Sequence, residues 1–128
     1  MIKGAIFDLD GTLLDSMHVW DKVDADFFEK HGITPPDDYI ADICTMTIDE
    51  IAAYTKNRFN FSQEPQELID EWISMADEEY RERVELKDGA LEYLLRVKKS
   101  GLKLGVLTSL SSELALPALK RCGIFDFF

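Results

Sequence analysis

Apolar positions along the chain fall into two rhythms. Residues 2–9, "IKGAIFDL", make a short run that is apolar in its second half and bounded by "DGT", which predicts a buried strand with Ala5, Ile6 and Phe7 in the core. Over 17–31 the spacing becomes helical, with Val19, Trp20, Val23 and Phe27 on one face and Gly32 as the stop. "TPP" then breaks the chain. Ile48, Ile51, Ala52 and Thr55 predict a helix over 47–57, and Leu68, Ile69, Trp72, Ile73, Ala76 and Tyr80 another over 64–84, with Ser62 as its N-cap and Pro65 in its first turn. Ala90, Leu91, Leu94, Leu95 and Val97 mark a helix ended by Gly101, and "LKLGVLTS" reads as a second buried strand. Ser111 or Ser112 caps a last helix reaching Cys122, in which Pro117 fits only if the helix starts late.

The order strand, helical stretch, helix, strand, helix predicts an α/β core interrupted once. Its two strands are parallel because a helix crosses between them. Residues 1–16 and 84–128 are the expected core, and 17–83 a helical cap joined through two hinges, near Ser16 and Arg83.

Composition narrows the partners. A chain of 128 residues with 46% hydrophobic content has the size and the apolar content for a folded domain. Twenty-five acidic against 14 basic residues give a net charge of −11, which repels a polyphosphate backbone, so nucleic acid is not an expected partner. Cys44 and Cys122 fit neither a CxxC nor a zinc pattern and read as buried free thiols in a reducing compartment. No signal peptide and no membrane-length apolar run is visible, so a cytoplasmic protein without a membrane partner is expected.

The chemistry concentrates in "AIFDLDGTLLDS", where a strand runs into two aspartates two residues apart. Asp8 and Asp10 should lean the same way, and like charges held close need a cation, a proton or a division of acid and base roles. An EF-hand is excluded, since the sixth and twelfth positions counted from Asp8 are Leu13 and Val19. Ligands of open α/β sheets sit beyond the carboxyl ends of the strands, where both "DLDGT" and "LTS" fall. Taken alone, Thr108 is an ordinary strand-end hydroxyl and Asp15 a turn or hinge residue. Trp20, Phe27, Trp72 and Tyr80 read as core of the helical segment, and Arg81, Arg83 and Lys56 as surface charge. His18 is either a cleft residue or a solvated helix start.

"FDLDGTLLDS" resembles the first motif of the haloacid dehalogenase superfamily and "LGVLTS" its second. With the helical insert and "ELKDGALEYLLRVKKSGLKLGVLTS", the layout is similar to the β-phosphoglucomutase and phosphoglycolate phosphatase subgroup. The resemblance implies a Rossmann-like parallel sheet, of which two strands fall within these residues, and a Mg²⁺-dependent phosphatase acting on a small phosphorylated metabolite. It implies Asp8 as the nucleophile that becomes an aspartyl-phosphate, and Asp10 as the general acid that later activates water. It further implies Mg²⁺ held by the Asp8 carboxylate and the Asp10 backbone carbonyl, with the Thr108 hydroxyl and the Ser109 backbone N–H on the phosphoryl group. A second aspartate favours phosphoryl transfer over dehalogenation, which has no leaving oxygen to protonate. The family's lysine and late aspartate motifs do not occur before Phe128, and its first strand would be left with an open apolar edge. The alternatives are therefore a sugar phosphomutase using the same aspartates and a non-catalytic remnant that binds a partner. "DICTMTIDE" holds none of the basic residues related mutases carry there.

Overall fold

The computed structural model describes residues 1–128. They form two compact units, one of residues 1–20 with 76–128 and one of residues 21–75.

In the first unit, strand β1 (Gly4–Phe7) pairs in parallel with β4 (Lys103–Val106), Gly4 opposite Lys103 and Phe7 opposite Val106. Helix α5 (Ala90–Lys99) precedes β4 and α6 (Ser112–Arg121) follows it, so the crossover connection expected of an α/β core is present. The strands are less buried than their apolar runs suggest. Phe7 packs its ring edge-on against Tyr93 and Phe128, at 6.1 and 6.3 Å, while Ile6 on the opposite face and Leu107 beyond β4 are each 73% exposed. The period of two in a strand puts one of any two successive residues away from the covering helix, and this sheet has only two strands. The core lies instead in Leu9, Leu13, Leu14, Val19, Val84, Leu94, Leu114 and Ile124.

A second ribbon, β2 (Leu14–Asp15) antiparallel to β3 (Glu85–Leu86), was not predicted, because two-residue strands carry no readable period. Lys87 N–H donates to the Leu13 carbonyl and extends it. Helix α6 starts at Ser112 with Ser111 in the N-cap position, one of the two caps the sequence offered, so Pro117 stands in its interior and removes the bond to the Glu113 carbonyl. Such a proline costs about 3 kcal/mol, and burial of Leu114, Ala115, Ala118 and Leu119 along the same helix offsets it.

The second unit is helical. It takes in most of α1 (Met17–Lys30), α2 (Tyr39–Ile43), α3 (Ile48–Phe59) and the first part of α4 (Pro65–Glu82). Ile33 N–H returns to the Phe28 carbonyl past Gly32, whose φ of 64° closes α1. Thr47 and Glu50 form a reciprocal capping box that starts α3. Ser62 does not cap α4. Pro65 is its first residue, and the Glu64 N–H just before it is satisfied by the Glu67 carboxylate at 2.7 Å. The short α2 went unseen because five residues are too few to establish a period.

Phe27 is the hub of this core, with Phe28, Phe61 and Trp72 rings within 5.5 Å. Tyr39 adds a buried hydroxyl pair with Thr55 at 2.8 Å. Arg58 binds Asp38, Asp42 and Tyr54. The thiols depart from expectation, since Cys44 is exposed on the turn after α2 and Cys122 is only half-buried, although both are free. No helix is long and apolar enough to cross a membrane.

Asp24 of α1 is half-buried beside a groove of about 480 Å³ walled by Phe28, Ile33, Pro35, Tyr39 and Ile40. Burial, and then the charge of Asp21, push its carboxyl up from 3.8 to about 6. The folded state therefore holds this proton where the unfolded chain has released it, and stability falls as pH rises between those two values and stays lower above them. Replacing Asp24 with Asn in the full-length protein should raise stability in urea unfolding by about 1 kcal/mol near pH 7, after allowance for solvent screening, and by nothing near pH 4. Equal changes at both pH values would refute this account.

Candidate active site

Parallel pairing fixes where the two loops emerge. Leu107 N–H donates to the Phe7 carbonyl at 2.9 Å, so "DLDGT" and "LTS" leave the sheet side by side at the carboxyl ends of β1 and β4.

The first loop is built around Leu9, which is fully buried. Its carbonyl accepts from the backbone N–H of Thr12, Leu13 and Leu14, while Gly11 N–H donates to the Leu14 carbonyl at 3.0 Å. Gly11 sits at φ 72°, a left-handed conformation that favours glycine, whereas the Met17 side chain, 2.8 Å from where a Cβ would lie, is flexible and exposed enough to move aside. Leu9 is the anchor of this loop, and the aspartates flank it.

These two carboxylates are not equivalent. Asp8 is exposed, and its only side-chain contact is a long one, 3.4 Å, from the Thr12 hydroxyl. Asp10 is half-buried, and its Oδ1 accepts from two hydroxyls, Ser16 at 2.6 Å and Tyr80 at 2.7 Å. Both donors are completely buried. Burial first, and then the hydrogen bond to Asp10 and its charge, raise the Tyr80 phenol above its ordinary range, so it stays a donor. Asp10 is thus held by neutral donors and Asp8 is left open to approach. Neither shares a hydrogen-bonding partner with the other.

In the second loop, Thr108 Oγ1 accepts from Leu110 N–H at 3.0 Å, which leaves the hydroxyl proton free to donate outward. Ser109 is exposed, and its N–H enters no backbone hydrogen bond. Ser111, at the N-cap of α6, makes no side-chain capping bond, so the first N–H groups of that helix also remain open at this end of the sheet.

Other sequence candidates lie elsewhere. Arg81 is paired with Asp77, Arg83 with Glu78 and Glu79, and Lys56 with Glu64, so each already has a carboxylate. Asp15 stands opposite Glu85 in the small ribbon, and His18 is exposed. Ser16 and Tyr80 are the residues that sequence reasoning did not place. Ser16 belongs to the motif, where it read as a hinge, and Tyr80 falls on an apolar stripe that hides what its hydroxyl binds.

A family model for haloacid dehalogenase-like hydrolases matches residues 5–128. The chain is 28% identical over 123 residues to the N-acetylmuramic acid 6-phosphate phosphatase of Pseudomonas aeruginosa, covering 95% of this chain and 54% of that protein. It is 31% identical over 129 residues to the validoxylamine A 7′-phosphate phosphatase of Streptomyces hygroscopicus subsp. limoneus, covering 96% of this chain and 57% of that protein. The chain spans about half the length of the curated relatives it matches. Among solved structures, CbbY from Rhodobacter sphaeroides, in complex with phosphate, superposes with a TM-score of 0.76 at 19% identity, over 100% of this chain and 61% of that one. The YfnB protein of Bacillus subtilis, bound to magnesium, does so at 0.75 and 21%, over 99% and 62%. The α/β fold, the paired strand-end loops and the family match together show that the chain belongs to the haloacid dehalogenase-like hydrolases.

Proposed function

We propose that this chain carries the nucleophile and acid/base half of a phosphatase acting on a small phosphorylated metabolite. The observation that supports this most is the inequivalence of the two aspartates, one exposed and unencumbered, the other held by two buried hydroxyls. An open carboxylate can attack, and a fixed one can deliver a proton.

In the first step an Asp8 oxygen forms a bond to phosphorus, the bond from phosphorus to the leaving oxygen breaks, and Asp10 gives that oxygen its proton. In the second, Asp10 takes a proton from water as the water oxygen attacks phosphorus, the bond to Asp8 breaks, and phosphate leaves. Thr108 Oγ1 and the Ser109 N–H would donate to phosphoryl oxygens, helped by the open N-terminus of α6.

The donor set suits Mg²⁺. Asp8 offers a hard carboxylate, and the Asp10 backbone carbonyl accepts none of the loop's hydrogen bonds, which go to Leu9 and Leu14. Two protein oxygens are an ordinary complement for an ion that keeps several waters. Bound there, Mg²⁺ would offset the negative charge gathered between carboxylate and phosphate. Residues 17–83 would serve as the cap that shields the reaction from water.

The full-length protein, offered a panel of sugar phosphates with Mg²⁺, is expected to release inorganic phosphate and to stop when EDTA removes the metal. Isomerised sugar phosphate as the product would identify a mutase instead. Neither product from any phosphoester would overturn the enzymatic reading in favour of a binding role.

A further inference from the structure

We infer that the groove beside Asp24 binds a small organic ammonium, an amine with a compact apolar body, through the Asp24 carboxylate and the apolar wall around it. The site stands whether or not the chain is a phosphatase, because all of its residues belong to the second unit.

Its shape follows from the way α1 ends. Gly32 closes the helix, and the chain from Ile33 to Ile40 turns back along it, which leaves a groove of about 480 Å³. A volume of that order holds a small molecule. Phe28 and Tyr39 are buried, meet edge to face at 5.0 Å and form its floor, while Ile33, Pro35 and the exposed Ile40 stand at its sides.

One carboxylate interrupts this apolar surface. Asp24 is half-buried there, yet it takes part in no side-chain hydrogen bond and no ion pair. Other acids of the same unit do find cations: Asp26 takes Lys22, Asp38 and Asp42 take Arg58, and Glu71 takes Lys30. Asp21 and Glu29, on the same helix, add negative charge nearby, and the Tyr39 hydroxyl facing from α2 is already engaged by Thr55 at 2.8 Å. The groove thus offers negative charge and apolar surface together, and an ammonium group on an apolar body complements both. An unpaired carboxylate in such a place lowers stability at neutral pH, and a ligand that pairs with it removes that cost.

Size favours a free small molecule over a segment of a partner protein. A stable protein interface buries about 800 Å² on each side. The large apolar side chains exposed in this unit are only Ile40 and Ile48, far too few for such a surface.

The test follows the amide resonances of the full-length protein during titration with phenethylamine at about pH 7.5, where the amine and Asp24 are both charged. The expected Kd is about 1 mM or lower, and the largest shifts should fall within residues 24–40. Phenethyl alcohol, which has the same body without the charge, should bind at least about tenfold more weakly. Asp24→Asn, which keeps the shape of the groove, should lose a similar factor for the amine and none for the alcohol. Ile40→Ala, at an exposed position, should weaken both compounds by about threefold. No binding of the amine, equal affinity for the alcohol, undiminished amine affinity in Asp24→Asn, or shifts centred outside the groove would each overturn the site.

Discussion

Replacing Asp8 with Asn in the full-length protein is expected to lower kcat by about 10⁴-fold or more while leaving the fold intact. The first half follows from chemistry. An amide has neither the negative charge nor the basicity to attack phosphorus, and removing a covalent nucleophile leaves only what binding and electrostatic stabilisation supply. The second half follows from structure. Asp8 is exposed, outside β1, and makes one 3.4 Å contact with Thr12, so the loop loses almost nothing when its charge goes. The loop's own scaffold is the set of bonds to the Leu9 and Leu14 carbonyls, which the substitution does not touch. Intact-mass analysis supplies the control: the parent protein quenched during turnover should carry one added phosphoryl group, and the variant none. Phosphate release within about tenfold of the parent would remove Asp8 from the reaction.

The motif was legible because its meaning depends on spacing alone. "DLDGT" at the end of one strand and "LTS" at the end of the next require only that the two strands be parallel and adjacent, and β1 and β4 are. Longer helices were legible for a similar reason. Fourteen residues of α1 and 18 of α4 repeat their apolar stripe often enough to be read, whereas the five of α2 and the two-residue strands β2 and β3 do not. Burial of the strands was overestimated because an apolar run does not say how many neighbours a strand has. Ile6 and Leu107 are exposed in a two-stranded sheet. The start of α6 was legible from Ser111 although Pro117 speaks against a helix interior, and tertiary burial of four apolar residues of that helix outweighs the proline. Tyr80 shows a third kind of failure. Its ring satisfies the amphipathic pattern completely, and nothing in a one-dimensional pattern reports where a phenol oxygen goes 70 residues away from its partner.

Asp10→Asn separates chemistry from positioning at the same carboxylate. Asparagine retains an Oδ1 acceptor for Ser16 and Tyr80, so the pair of buried hydroxyls stays satisfied and stability should change little. At the other oxygen an NH₂ replaces a group that can give and take a proton under working conditions. Phosphorylation by an alkyl phosphate should therefore slow by about 10²- to 10⁴-fold, the usual range for a general acid. An aryl phosphate should still phosphorylate Asp8 quickly, because its leaving oxygen departs without a proton. The second step would then fail for every substrate, since no base remains to take the proton from water. The distinguishing result is a burst of phenolate equal to one per active site, followed by slow turnover and accumulation of phosphorylated enzyme. A variant that lost both esters equally and showed no burst would place Asp10 outside proton transfer, and the two hydroxyls that hold it would then be structural.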